Sequence, residues 1–224
     1  SICGTQLGPE TGDPRNFKTM DEFMEAYRKQ NDYFMDILCR AVTVEMTVQS
    51  EWSEAPFTSC LLEGPLQKGT DLIQGGCWNT SFGLMMAGSA NVGDSLGVID
   101  TLVFKEKKVS MDELMTALDA DWEGYERLRQ LCINGVPKYG NDDDYVDQLI
   151  VEAYDSYIEE IEKYPNTRYN RGPIGGIRYA GTSSISANVG QGMSTMATPD
   201  GRNAFEPLAE GCSPAHNSDK NGPT

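Results

Sequence analysis

An α/β layer arrangement is the fold class that this 224-residue chain predicts, on three observations. Long stretches with apolar residues at helical spacing alternate with short apolar runs that carry glycine. Capping signals stand at the starts of the long stretches. Proline and glycine clusters separate the two kinds of segment. Residues 1–18 hold Gly4, Gly8, Pro9, Gly12 and Pro14, which favour turns, and read as a connector. Thr19-Met20-Asp21-Glu22 is a capping box, and Phe23, Tyr27, Phe34, Ile37, Leu38 and Ala41 follow on one face, predicting a helix over 20–44. Phe57-Thr58-Ser59-Cys60-Leu61-Leu62 has strand character and stops at Gly64-Pro65. Leu72 to Asn79 mixes apolar residues with Gly75-Gly76, predicting a strand or loop under close backbone approach.

Asn91 to Phe104 predicts a helix through Leu96, Ile99, Leu102 and Val103, followed by an exposed lysine-rich turn. Ser110-Met111-Asp112-Glu113 is a second capping box, and the face it opens continues through Trp122, Tyr125, Leu128, Leu131 and Cys132 to Asn134-Gly135. The clearest amphipathic helix is 144–163, with Val146, Leu149, Ile150, Ala153, Tyr157 and Ile161 on one side and acids on the other. Beyond Pro165, Gly176–Tyr179 and Ser183–Val189 read as short strands, ahead of a turn-rich tail.

The 18 Lys and Arg stand against 34 Asp and Glu, a formal charge of −16, which excludes a general nucleic-acid binder. Hydrophobic residues make up 39%, enough for a core. No apolar run reaches the ~18 residues of a membrane span, and Ser1-Ile2-Cys3 does not open a secretion signal, so the expectation is a soluble cytoplasmic protein. The first residue is not Met and Gly222-Pro223-Thr224 leads into no helix or strand, so a piece of something longer is expected. The six cysteines form no C-x-x-C pair and read as reduced, mostly packed thiols.

Few residues nominate themselves for chemistry. Asp142-Asp143-Asp144 lacks the spacing and closing Glu of a calcium loop and reads as the cap of the 144–163 helix. Gly190-Gln191-Gly192 lacks the third glycine of a dinucleotide loop, because Thr195 stands there. Thr198-Pro199-Asp200-Gly201 fits a type I turn that positions Arg202, a candidate anion binder. Cys77, beside two glycines, reads as a small buried hydrophobe rather than a reactive thiol. The single histidine, His216, reads as a loop residue. No metal ligand set emerges.

Several motifs stand in a telling order: Thr5-Gln6-Leu7-Gly8-Pro9, Ser89-Ala90-Asn91-Val92-Gly93-Asp94-Ser95-Leu96, Pro137-Lys138-Tyr139-Gly140-Asn141-Asp142, Ala197-Thr198-Pro199-Asp200-Gly201-Arg202 and Asp219-Lys220-Asn221-Gly222-Pro223-Thr224. In that order they resemble the glycyl radical enzymes, the family of pyruvate formate-lyase, glycerol dehydratase and arylacetate decarboxylases. The resemblance implies part of an α/β barrel, half-barrel strands with outer helices, in which residues 1–224 are one segment of the barrel domain, incomplete at both ends. It implies a thiyl cysteine and a glycyl radical in the parent, the latter installed by a separate activating enzyme that uses S-adenosylmethionine and an iron–sulfur cluster, and a homodimer at full length. No cofactor is expected on this segment, because neither the Gly-Cys-Val-Glu type motif nor the Arg-Val-x-Gly-aromatic motif is present, and Cys3 is not assigned the thiyl role.

The expected reaction is radical dehydration, decarboxylation or C–C cleavage of a small polar substrate. Asn188-Val189-Gly190-Gln191-Gly192 favours the dehydratase or decarboxylase types over formate-lyases, whose corresponding stretch is bulkier. Ser186, Asn188 and Gln191, on the strand the resemblance places near substrate, are the expected substrate-binding residues, and no residue of the segment is expected to be catalytic. The alternative is a non-catalytic scaffold that keeps the barrel fold without its radical chemistry.

Overall fold

Two long helices organise the chain in the computed structural model, which describes residues 6–78, 82–164, 178–182 and 186–221. A 3-10 turn, Pro14–Asn16, precedes α1 (Met20–Trp52), and the short helices α2 (Pro56–Ser59) and α3 (Pro65–Lys68) follow. After a 3-10 turn at Leu72–Gln74 come β1 (Phe82–Met86), α4 (Ser89–Val98) and a π-helical continuation, Ile99–Lys105. The remaining elements are α5 (Met111–Asp119), α6 (Glu126–Asn134), α7 (Asp144–Glu162), β2 (Arg178–Thr182) and α8 (Ala187–Gly192). Among the described residues, β1 and β2 pair as a two-stranded sheet. The expected features at Cys3, Asn79, Gly176–Ile177, Ser183–Ile185 and Gly222–Thr224 lie outside the described residues.

The chain divides into two compact units. The first comprises Ser1–Gln30, Met85–Asp155 and Thr182–Thr224. Its core joins Val98, Ile99 and Leu102 to Leu114, Ala117, Trp122, Leu128 and Cys132, and a second cluster packs Met24 and Leu96 on Leu149 and Ala153. Gly93 lets α4 approach α7 here, since a Cβ at that position would lie 2.0 Å from Ile150 Cγ1. The second unit comprises Asn31–Leu84 and Ser156–Gly181. Within it the Tyr157 hydroxyl donates to the Leu84 carbonyl at 2.7 Å, and Asp71 ties the 55–73 loop by accepting from the Ala55 and Ile73 amides and the Ser59 hydroxyl.

The capping signals act as expected. Thr19 Oγ1 accepts from the Glu22 amide at 3.2 Å while the Glu22 carboxylate takes the Lys18 amide, one residue before the usual partner. Ser110 Oγ caps α5 through the Glu113 amide, and Asp143 caps α7 through the Tyr145 amide at 3.0 Å. The helix expected over 20–44 runs on to Trp52. The long helical face expected after Ser110 is instead two helices, because Asp121, Trp122 and Gly124 take positive φ between them.

Two strand expectations are corrected. Residues 57–62 are α2 and a turn: Pro56 at the first helical position presets a helical φ. The 183–189 strand is absent over its described part: Ser186 stands at φ 59° and α8 follows. The close approach expected at Gly75-Gly76 is present, since a Cβ on Gly76 would meet the Thr70 carbonyl oxygen at 2.0 Å. Cys39 and Cys132 are packed, whereas Cys60 and Cys212 are exposed, so the expectation of mostly packed thiols holds only in part.

Candidate functional site

A buried polar cluster in the first unit is built from α4, the 138–141 turn and the 198–202 turn. Asn91 and Asp94 are three residues apart on α4 and so share a face. Asn91 is used at both ends of its amide: Nδ2 donates to Asp200 Oδ2 at 2.6 Å and Oδ1 accepts from the Ala209 amide at 2.7 Å. Ser89 donates to the Gly211 carbonyl, so this helix start anchors the 209–211 backbone twice. Asp94 is 1% exposed and accepts from the Tyr139 amide at 2.8 Å. Lys138, one residue before, is buried beside it.

The 198–202 segment is the expected turn, closed by the Gly201 amide on the Thr198 carbonyl at 3.0 Å. Asp200 accepts from Asn91, from the Thr198 hydroxyl at 2.5 Å and from the Arg202 amide at 3.4 Å. Arg202 does not present its fork to a ligand. Its guanidinium donates to Thr198 Oγ1 at 3.2 Å, to the Glu206 carbonyl at 2.7 Å and to the Met196 and Thr195 carbonyls, so it braces the loop around it. Trp122 Nε1 donates to the Arg202 carbonyl at 3.1 Å and Arg129 Nε to the Gly201 carbonyl at 2.8 Å, fastening the turn to the core.

These residues border a cavity of about 1110 Å³ whose lining includes Asn91, Asp94, Lys138, Asn188, Asp200 and His216. Asn141 holds its rim: the side-chain amide donates to the Lys138 and Ser218 carbonyls and accepts from the Lys220 and Asn221 amides. Among the described residues no group of three or more His, Cys, Asp or Glu is placed to hold a metal ion, and no helix is long and apolar enough to cross a membrane.

Burial dominates the electrostatics. It pushes the Asp94 carboxyl up to about 6, against the opposing pull of the Lys138 charge and the Tyr139 amide, with Asp200 adding to the rise. Burial likewise pulls the Lys138 ammonium below its usual range, while Asp94 and Asp200 hold it up. The Cys132 thiol is raised to about 11, first by burial, and keeps its proton at neutral pH, which removes it as a thiolate nucleophile. The arrangement therefore sets a carboxyl whose pKa is raised to about 6 beside a buried ammonium.

A pH dependence follows. The folded protein binds the Asp94 proton more tightly than the unfolded chain does, so this stabilisation is full at pH below 3.8 and is lost as pH rises to about 6. Against Asp94→Asn, which keeps the acceptor for Tyr139, the native protein is expected to lose relative stability between those two pH values and to hold a constant difference above them. Urea denaturation of both proteins across that range checks it; parallel curves would contradict the assignment.

Of the three expected substrate residues, the structure brings only Asn188 to the cavity lining, and there its Nδ2 donates to the Leu208 carbonyl at 3.0 Å. Ser186 stands exposed at the start of α8, and Gln191 is exposed on that helix. Neither is among the lining residues. Asn91, Asp94, Lys138 and Asp200 were quoted in the motifs above without a role. Their shared helix face or turn was readable, but the meeting of Asn91 with a residue 109 positions away was not.

The family model for pyruvate formate lyase-like proteins matches residues 1–192. The chain is 44% identical over 214 residues to a probable dehydratase, YbiW, of Escherichia coli, covering 93% of this chain and 26% of that protein. It superposes on hydroxyproline dehydratase from Clostridioides difficile with a TM-score of 0.91 at 35% identity, covering 99% of this chain and 27% of that one. For the B12-independent glycerol dehydratase from Clostridium butyricum the TM-score is 0.88 at 38% identity, with 97% and 27% covered. The chain thus spans about a quarter of the length of the relatives it matches, and its fold is that of a part of their barrel. With a family match over most of its length, the chain belongs to the pyruvate formate lyase-like family, the glycyl radical enzymes.

Proposed function

We propose that residues 1–224 are an internal portion of a glycyl radical lyase of the dehydratase or decarboxylase type, inactive by themselves. One observation carries the reading: relatives named as dehydratases or sulfite-lyases match 93% or more of this chain while the chain covers 25–28% of them. A second supports it. Tyr33, Phe34, Ile37, Val44, Val48 and Trp52 of α1 are exposed, the surface expected of a piece whose apolar face belongs against further polypeptide.

In the parent, a thiyl cysteine outside this segment takes a hydrogen atom from a small polar substrate. The S–H bond forms as a substrate C–H bond breaks, the substrate radical loses its leaving group, and the product radical takes the hydrogen atom back from that S–H, which restores the thiyl. This segment contributes wall, not radical. An enclosed site keeps water and oxygen from the intermediate. Ser186, Asn188 and Gln191 are assigned to the substrate side of the assembled enzyme, and the parent to a cytoplasmic homodimer served by an activating enzyme that uses S-adenosylmethionine and an iron–sulfur cluster.

The test is electron paramagnetic resonance. The parent, incubated anaerobically with its activating enzyme, a reductant and S-adenosylmethionine, is expected to show a glycyl doublet, and the 224-residue chain treated identically none. A silent parent beside an activating enzyme proven competent on another substrate protein overturns the reading.

A further inference from the structure

The part of α1 that belongs to the second unit has two apolar faces. Cys39, Val42 and Met46 lie on one of them and are buried. A helix packed on one side ordinarily turns polar residues outward on the other. Here Phe34, Ile37, Ala41, Val44 and Val48 occupy that outer side, and all five are exposed, Val44 to 63% and Val48 to 52%. They follow one another at alternating steps of three and four residues, which is the seam of a two-stranded coiled coil, about 22 Å long. Tyr33 and Phe34 stack edge to face at 5.3 Å and close one end of the seam with an aromatic pair. Glu51, at the next seam position, ends it at the other.

The charges beside the seam select its occupant. Between residues 34 and 48 the exposed charged residues are Arg40 and Glu45, one on each edge of the apolar stripe and five positions apart. Asp36 holds Arg40 on its edge, at 2.9 Å from Nε and 2.8 Å from Nη2, with the Arg40 side chain still 76% exposed. In two parallel helices related by a two-fold axis, opposite edges meet, and a residue on one edge lies beside the residue five positions on in the partner. Each Arg40 then faces the partner's Glu45, twice in the pair. In an antiparallel pair like edges meet, and the edge of Arg40 offers it only Tyr33 and Thr47. The face is therefore complementary in charge to a parallel copy of itself, as an isologous contact requires.

We propose that residues 34–48 of α1 pair, parallel and in register, with the same residues of a second copy of this chain. The proposal rests on the homodimer assigned to the parent above and gives that dimer an interface: the apolar seam supplies the burial, and the two Arg40–Glu45 pairs set direction and register.

The test uses the full parent before activation, carrying Val44→Cys, oxidised with copper phenanthroline and run on a gel without reductant. Across a parallel seam in register the two introduced thiols face each other, so a band at twice the subunit mass is expected, reversed by dithiothreitol. It should be absent from the unsubstituted parent, which already has the exposed Cys60, and from Gln49→Cys, an exposed position off the stripe. Adding Glu45→Arg sets arginine against arginine twice and is expected to cut the yield about tenfold at low salt, and adding Arg40→Glu as well should recover most of it. A monomeric mass by light scattering, an equal yield from Gln49→Cys, or a yield unchanged by Glu45→Arg overturns the seam. The two readings fail separately: a parent that shows the glycyl doublet but no such band keeps its radical chemistry and loses the seam, and a band without the doublet does the reverse.

Discussion

Replacing Arg202 with leucine is expected to lower the thermal midpoint of the chain by about 10 °C, the shift that a loss of roughly 4 kcal/mol produces in a domain of this size. The reason is the number of backbone groups that one side chain serves. Its guanidinium donates to the carbonyls of Thr195, Met196 and Glu206 and to the Thr198 hydroxyl, while its own backbone is held by Asp200 and Trp122. With leucine there, the carbonyls of Thr195, Met196 and Glu206, in a loop that is only partly buried, lose their donor, and each costs up to about 1–3 kcal/mol where water does not replace it. Arg202→Lys retains the charge but not the planar fork, and is expected to recover less than half of the loss. Differential scanning calorimetry of both variants settles it; a leucine variant melting within about 2 °C of the native protein would show that the loop holds without the fork.

Gly192→Ala is the second large effect. A Cβ on Gly192 would stand 2.2 Å from the Glu206 carbonyl oxygen and 2.7 Å from Pro207 Cα. Both are backbone atoms, so no side chain can swing aside, and α8 must move away from the 206–208 strand of chain. That motion pulls apart the two bonds between Asn188 and Leu208, one from the Asn188 side chain and one onto its carbonyl. A cost of about 3 kcal/mol is expected, at the upper end for overpacking. Gly190→Ala is the control on the same helix, because nothing lies within 4 Å of its would-be Cβ. It should be neutral or stabilise by up to about 1 kcal/mol through helix propensity. Urea midpoints measured side by side check the pair, and equal midpoints would mean that the close approach is absent in solution.

Much of the helical framework was legible because its signals are local. The α7 stripe of Val146, Leu149, Ala153, Tyr157 and Ile161 is buried as its spacing requires, and Asp143, Thr19 and Ser110 cap where short-range chemistry places them. What failed was decided at a distance. Residues 187–192, with two glycines and a β-branched valine, have poor helix propensity. They are helical because Gly192 fits against 206–207 and Asn188 ties down Leu208, contacts that lie 14 or more residues away. At 56–59 Pro56 starts a helix where a strand was expected over 57–62, because its missing N–H falls where no partner exists.

The candidate site was half legible for the same reason. The turn at Thr198–Gly201 was readable, but its consequence for Arg202 was not, since the carbonyls that consume its donors come from residues on both sides of the turn. The motifs containing Asn91, Asp94, Lys138 and Asp200 carried the family resemblance. Only their meeting around one cavity indicates that they act together.

Asn141 has a further consequence for motion. Because a single side chain holds the carbonyls of Lys138 and Ser218 and the amides of Lys220 and Asn221, most of the ties of residues 218–221 run through one residue, with a further bond from Lys220 Nζ to Asn134 Oδ1. Loss of that one side chain is therefore expected to release residues 218–221 and the 138–141 turn largely together.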